Sequence, residues 1–323
     1  MRRWIEMAVA GQSARRIALD IGLHSLAGFA DFLPRMRQRM NSCQLIEDIE
    51  YARVGGELMR LDIVKPKTPG PHPVLIYFHG GAFAIASKRT HRGLAAAYAS
   101  QGYLVCNVDY RLAPKHPFPA ALEDACAAWM WVVEHVQEYG GDAQRICLAG
   151  ESAGANLALA VALACCTLRP ESYSLALAEC TVRPVAALLY CGFLQTSMPK
   201  RYQRKGVSAI AVLVATDAAA SYLGEFANQN RPENALADPL CVIESMTAKP
   251  SLPPIFIAAG LSDPVTPDSQ RLEMALARLK SNHSAHYYPG ESHAFHIMFW
   301  REQAKRCWQD SFEFLRKYAP PKA

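Results

Sequence analysis

The sequence predicts an α/β fold, a mostly parallel sheet flanked by helices, and three observations predict it. Short apolar runs alternate with stretches of helical periodicity over most of the 323 residues. Such alternation favours parallel strands, because each helix carries the chain back across a face of the sheet. A serine flanked by glycines, in Gly150-Glu151-Ser152-Ala153-Gly154, stands directly between one apolar run and one helical stretch. A chain of this length also buries roughly three quarters of the surface its unfolded form exposes, so one large core with an accessory piece holds without metal or disulfide.

From the N-terminus, residues 1–40 place Trp4, Met7, Ala8, Ile17, Ile21 and Leu23 at helical spacing with arginines between them, which predicts one or two amphipathic helices. From Cys43 the pattern becomes strand-like, and Arg60 to Val64 alternates as a half-buried strand does. Pro66 to Pro73 is a Pro/Gly-rich turn. The runs Val74–Phe78, Leu104–Val108, Ile146–Ala149, Ala186–Tyr190 and Ile255–Ala259 are the expected strands of the repeating unit. Arg92–Gln101, Pro119–Glu138, Ala153–Leu168 and Asp268–Ser281 are the helices between them, and Ala285 to Pro289 reads as the last strand. Pro170–Pro184 and Cys191–Asp238 fit the alternation poorly. The second, with a helix expected over Ala209–Phe226, is read as an insertion at the carboxyl edge of the sheet, where a lid would sit. The expected organisation is N-terminal cap helices over 1–45, the first part of the core over 46–190, a cap insertion over 191–238 and the second part of the core over 239–323.

The net charge of +5, from 34 basic and 29 acidic residues, is mild and scattered, so it does not point to nucleic acid. Its one small cluster, Lys200, Arg201, Arg204 and Lys205, reads as a solvated loop. The ten cysteines include no CxxC pair and no zinc spacing; most, such as Cys106, Cys147, Cys165 and Cys166, sit in apolar runs where a thiol behaves as a small hydrophobe. Reduced core thiols in a cytoplasmic protein are expected. The first residues lack the apolar core of a signal peptide, being broken by Glu6, Gln12, Arg15 and Arg16, and Ala153–Leu168 is too short to span a bilayer, so no membrane span is expected.

The glycine-flanked Ser152 has the strand before it and the helix after it that a nucleophile elbow requires. The tight turn excludes bulk at its neighbours and lifts the serine oxygen to a helix N-terminus, where free N–H groups favour a developing negative charge. After the first parallel strand comes His79-Gly80-Gly81-Ala82-Phe83, whose adjacent glycines allow close approach of backbone donors. Gly80, Gly81 and Ala153 are the expected oxyanion donors; losing one such donor costs about 2.7–4 kcal/mol of transition-state stabilisation. A serine nucleophile needs a base, and the base needs a partner that fixes its tautomer. Asp263, at the exit of Ile255–Ala259, is the favoured acid, with Asp268 the rival and helix capping its alternative reading; Asp238 precedes that strand and falls on the wrong side. His293, in the loop after the last strand, is the favoured base, with His296 the rival. His283 and His286 belong to the strand region, and His72, His91, His116 and His135 have no second ligand at metal spacing, so all read as packing or surface residues and no metal is expected.

Together these strings resemble the hormone-sensitive lipase-like branch of the α/β-hydrolases, the bacterial family IV esterases. The resemblance runs from about Leu61 to Tyr318 and rests on His79–Phe83, the string Tyr110–Ala125, the elbow continuing through Ala155, Asn156 and Leu157, Asp263-Pro264, and His293-Ala294-Phe295. It implies an eight-stranded sheet, a cap built from the N-terminal helices and the insertion, hydrolysis of short- to medium-chain acyl esters without a cofactor, a scaffold role for Tyr110–Ala125 and a homodimer formed through the last strand. Three positions depart from the family pattern. Ala82 stands where a third glycine is usual, which narrows the space beside the acyl carbonyl. Glu151 replaces the usual aspartate and is one methylene longer, so its support of neighbouring loops is re-drawn. Val265-Thr266-Pro267-Asp268 replaces the usual continuation after the acid. An amidase, arylformamidase or lactonase would use the same residues, and a non-catalytic small-molecule receptor is the reading from another class.

Overall fold

A computed structural model describes residues 34–224 and 232–321. The expected amphipathic helices of the first 33 residues therefore lie outside the described residues; the description begins in helix α1 (Pro34–Ser42). The hairpin β1 (Cys43–Val54) and β2 (Glu57–Pro66) follows, then β3 (His72–Phe78), α2 (Arg92–Ala99), β4 (Leu104–Val108), α3 (Ala120–His135), β5 (Gly141–Glu151), α4 (Ala153–Cys166) and α5 (Ser172–Glu179). After β6 (Ala186–Tyr190) come α6 (Ala209–Leu223) and α7 (Pro239–Ser245), then β7 (Ile255–Gly260), α8 (Thr266–Arg278), β8 (His283–Tyr288) and α9 (Glu302–Tyr318). The strands form one eight-stranded sheet in the order β1-β2-β4-β3-β5-β6-β7-β8. The β1–β2 and β2–β4 pairs are antiparallel and the rest parallel, as the α/β reading expects.

Every residue of β3, β4, β6 and β7 is buried, which is why these strands read as unbroken apolar runs. Alternate side chains feed two cores. Val74, Ile76 and Phe78 join the core that also holds α3, α4 and α8; Leu75 and Tyr77 join the one that holds α2 and α9. Each fully buried aliphatic or aromatic side chain contributes on the order of 1.5–3 kcal/mol. Helix α4 is buried on all sides from Ala153 to Cys165, so its apolar composition reflects a central position in the core. Among the described residues no helix is long and apolar enough to cross a membrane. Helix α9 adds a final amphipathic element beyond those expected, burying Ala304, Cys307, Trp308, Ser311, Phe314 and Leu315.

Two local expectations are corrected, and a segment that fits the alternation poorly gains an element. Strand β2 is not half-buried across Leu61–Val64, because the fully buried Asp62 carboxylate is neutralised there by Lys88 Nζ at 2.5 Å and Arg92 Nη2 at 2.9 Å. Pro170–Pro184 holds the short helix α5, preceded by buried Glu171 paired with Arg169 at 2.8 Å. The insertion helix stops at Leu223, before Gly224 at φ +53°, and residues 225–231 lie outside the described residues.

Candidate active site

The carboxyl ends of the parallel strands share one edge of the sheet, so the loops after β3, β5, β7 and β8 converge there. Ser152 follows β5 and precedes α4, with φ 54° and ψ −114°. That conformation is costly for a residue with a Cβ and persists where the surroundings over-determine it. Here the constraint is steric. A Cβ at Gly154 would lie 1.9 Å from the Phe78 carbonyl oxygen, and one at Gly150 would lie 2.4 Å from the Gly154 carbonyl. Both glycines are required for strand, turn and helix to pass this closely.

Ser152 Oγ lies 3.0 Å from His293 Nε2, and His293 Nδ1 lies 2.9 Å from Asp263 Oδ2. Asp263 is buried, and its Oδ1 accepts the Val265 N–H at 2.9 Å, which holds the carboxylate plane toward the imidazole. Removal from water opposes protonation of His293, but the facing Asp263 carboxylate and the more distant Glu151 outweigh it and raise the imidazole above its ordinary value. Cys191 is buried beside this pair; burial first, then the negative charge of Asp263 and Glu151, pushes its thiol up. Among the described residues, Cys191, Asp263 and His293 are the one group whose potential metal donors come within 4.8 Å of one another. Its imidazole and carboxylate already bond each other, so the arrangement reads as a hydrogen-bonded relay.

The rivals stand elsewhere. Asp268 is not at the cap position but inside the first turn of α8, where it serves other segments. Its buried carboxylate accepts the N–H groups of Leu194 and Gln195 at 3.0 and 3.1 Å, the Tyr202 hydroxyl at 2.7 Å and Arg201 Nη2 at 2.7 Å. Arg201 is thus a partner of a buried carboxylate, not part of a solvated loop, and Arg204 Nη1 donates to the Pro264 carbonyl at 2.9 Å. Asp238 accepts from the Ser197 N–H at 2.9 Å, in the insertion. His296 is buried with its ring stacked on Tyr190 at 4.6 Å, and neither ring nitrogen has a partner among the described residues. Burial holds it down to about 4. His286 bonds Ser284 Oγ at 2.8 Å on the edge strand β8, which His283 begins.

The loop after β3 lies against β5 because the two strands are neighbours. Its Gly80 N–H, one of the three expected oxyanion donors, is already committed to the Glu151 carboxylate. The Gly81 and Ala82 N–H groups make no hydrogen bond among the described residues, and the Ala153 N–H heads α4, ahead of its first intrahelical bond. Gly81 at φ +107°, Ala82 at +56° and Phe83 at +59° curl this loop. The string Tyr110–Ala125 props it: the Tyr110 hydroxyl donates to the His79 carbonyl at 2.7 Å, and the Ala113 N–H donates to the Phe83 carbonyl at 2.8 Å. Tyr222 of α6 stacks on Phe83 at 3.6 Å, which brings α6 onto the same loop. One contact had no signal in the sequence. His91 Nε2 lies 2.7 Å from Glu151 Oε1, beneath this loop.

Comparison with known proteins follows the same lines. Residues 75–297 match a family model described as alpha/beta hydrolase fold. Over 150 residues the chain is 37% identical to esterase LipI of Mycobacterium tuberculosis, a match covering 46% of each protein. Over 98 residues it is 40% identical to human hormone-sensitive lipase, covering 30% of this chain and 9% of that protein. The chain thus spans less than half the length of these curated relatives. The crystal structure of esterase LipW from Mycobacterium marinum superimposes with a TM-score of 0.75 at 24% identity, covering 94% of this chain and 90% of that one. At that identity the likeness is one of fold.

Proposed function

The chain belongs to the alpha/beta hydrolase fold family, and from that premise we propose that it hydrolyses carboxylic esters of short to medium acyl chains, with Ser152 as nucleophile, His293 as base and Asp263 as the acid that orients the base. The observation that carries the reading is the continuous relay from Ser152 Oγ to His293 Nε2 at 3.0 Å and from His293 Nδ1 to Asp263 Oδ2 at 2.9 Å. His293 takes the serine proton as Oγ attacks the ester carbonyl, then delivers it to the departing alcohol oxygen. Water, deprotonated by the same imidazole, attacks the acyl-enzyme and releases the acid, while Asp263 keeps its charge and holds the imidazolium. The oxyanion falls to the N–H groups of Gly81 and Ala153, joined by Ala82; Gly80 instead anchors the loop, since its N–H is spent on Glu151. Only neutral His293 acts as base, so turnover rises with pH through a value above that of an ordinary histidine.

The insertion 191–238 is the cap in this reading, supported by the stack of Tyr222 on Phe83. The N-terminal helices of 1–45 complete it. A cytoplasmic setting is supported by ten free thiols. Replacing Ser152→Ala is expected to abolish turnover of a p-nitrophenyl ester and labelling by a fluorophosphonate while leaving the circular dichroism spectrum unchanged. Full retained activity would overturn the assignment.

A further inference from the structure

Beneath the loop after β3 lies a charged cluster that the hydrolytic relay does not use. Glu151 is 3% exposed. Its carboxylate accepts the Gly80 N–H and the Tyr77 hydroxyl, and His91 Nε2 lies 2.7 Å from its Oε1. The contacts of the other ring nitrogen of His91 favour the charged form. Nδ1 lies 2.7 Å from Thr90 Oγ1 and 3.2 Å from the Ser87 carbonyl oxygen. The Ser87 carbonyl can only accept, so with the Thr90 hydroxyl turned to that carbonyl at 2.7 Å, Nδ1 acts as a donor. Nε2 faces a carboxylate and must donate as well. An imidazole that donates from both nitrogens is a cation.

We propose that His91 and Glu151 form a buried ion pair that positions the Gly80–Gly81 loop, and that the charge on His91 controls how well that loop holds the oxyanion. The inference rests on the ester-hydrolase reading above. His91 is a positioning residue: it acts through Glu151, and Glu151 acts through the Gly80 N–H, one residue before the proposed donor Gly81. The loop needs such a hold because three successive residues, Gly81, Ala82 and Phe83, carry positive φ. The groups around His91 come from every element packed on it: Glu151 from β5, the Tyr77 ring at 6.2 Å from β3, the stacked His79 ring at 5.5 Å, Asp109 after β4, and Ser87 and Thr90 from its own turn. Burial opposes the cation, but Glu151 and Asp109 outweigh it, so His91 titrates above the ordinary imidazole value; Glu151, likewise opposed by burial, is carried down to about 2 by His91. His296 also faces Glu151 but is held neutral by burial. When His91 loses its Nδ1 proton, Nε2–H still donates to the carboxylate, but the positive charge that strengthens the bond is gone and the hold on the Gly80 loop loosens.

Two limbs of the pH profile follow. The acidic limb belongs to His293, which must be neutral to act as base. The alkaline limb belongs to His91, which must be charged. The kcat of the wild-type chain on a p-nitrophenyl ester is therefore expected to be bell-shaped. In His91→Gln, kcat at neutral pH falls by about 10- to 100-fold, the scale of a small misplacement at the reacting centre, with KM within about twofold, and the alkaline limb disappears while the acidic limb stays. Substituting Glu151→Gln gives the same loss of kcat and likewise removes the alkaline limb, while the acidic limb stays. Should the variants fail to fold, 15N-histidine spectra of the wild-type chain decide: both nitrogens of His91 carry protons at neutral pH, and their titration coincides with the alkaline limb. A neutral His91 at pH 7, or a His91→Gln variant with unchanged kcat and an unchanged alkaline limb, overturns the inference. Failure of Ser152→Ala to abolish turnover overturns the underlying reading instead, so the two are separable.

Discussion

Asp263 and Asp268 flank the start of α8, and their surroundings divide the work between them. Asp263 gives one oxygen to the Val265 N–H and the other to His293. Asp268 gives both to the segment between β6 and α6, through Leu194, Gln195, Arg201 and Tyr202. Replacing Asp263→Asn is expected to lower kcat by about 10⁴-fold, because the amide can no longer hold the tautomer that leaves Nε2 free to accept the serine proton. Asp268→Asn should leave kcat within about tenfold and instead lower stability by about 2 kcal/mol, the worth of a charge-assisted bond lost from a buried site. Steady-state kinetics and urea unfolding on the two variants separate the roles. A large loss of kcat in Asp268→Asn with Asp263→Asn unharmed would reverse the assignment. Ser152 and its glycines were legible from the string itself, since only glycine tolerates the approach to Phe78. The role of Asp268 was not, because the groups it serves come from a segment distant in sequence.

At the scale of elements, α6 is docked through one end. Ala215, Ala218, Ala219, Tyr222 and Leu223 are buried, while Ile210, Leu213 and Val214 toward its start are exposed. The anchor is the Tyr222 ring on Phe83, strengthened by the Phe118 N–H, which donates to the Tyr222 carbonyl at 2.6 Å. The Tyr222 hydroxyl is buried and makes no hydrogen bond among the described residues. Tyr222→Phe is therefore expected to be neutral or slightly stabilising, whereas Tyr222→Ala should cost about 3–5 kcal/mol and also lower kcat, because Phe83 belongs to the loop that carries Gly81. Thermal melts paired with ester assays test this. A Tyr222→Ala variant with unchanged kcat would show that α6 does not brace the loop. The helix was legible as a helix; which of its faces docks was not, because its run of Ala and apolar residues offers no clear amphipathic stripe.

Over the whole molecule, burial of charge makes stability depend on pH from both sides. Glu151 is depressed to about 2 in the folded chain, so its contribution is present above the ordinary carboxylate range and is lost as pH falls toward that value. His91 is raised, so its contribution is present below the ordinary imidazole value and is lost as pH rises through its folded value. The melting temperature is expected to fall on both sides of a plateau between these limits, and His91→Gln should flatten the alkaline side; scanning calorimetry across pH checks it, and an alkaline slope unaltered by the substitution would count against the pair. The strand and helix runs, their alternation and the elbow are determined by the sequence alone, because burial on both faces of a parallel sheet leaves unbroken apolar strings, and a tight turn leaves its glycines, among residues adjacent in the chain. The pairing of β3 with β5 is a property of topology, and it commits the Gly80 N–H to Glu151, while the turn that precedes α2 brings His91 to the same carboxylate. Local spacing carries the periodicity of elements; it carries no record of which distant side chain will spend a given hydrogen bond, and the chemistry of this site turns on that choice.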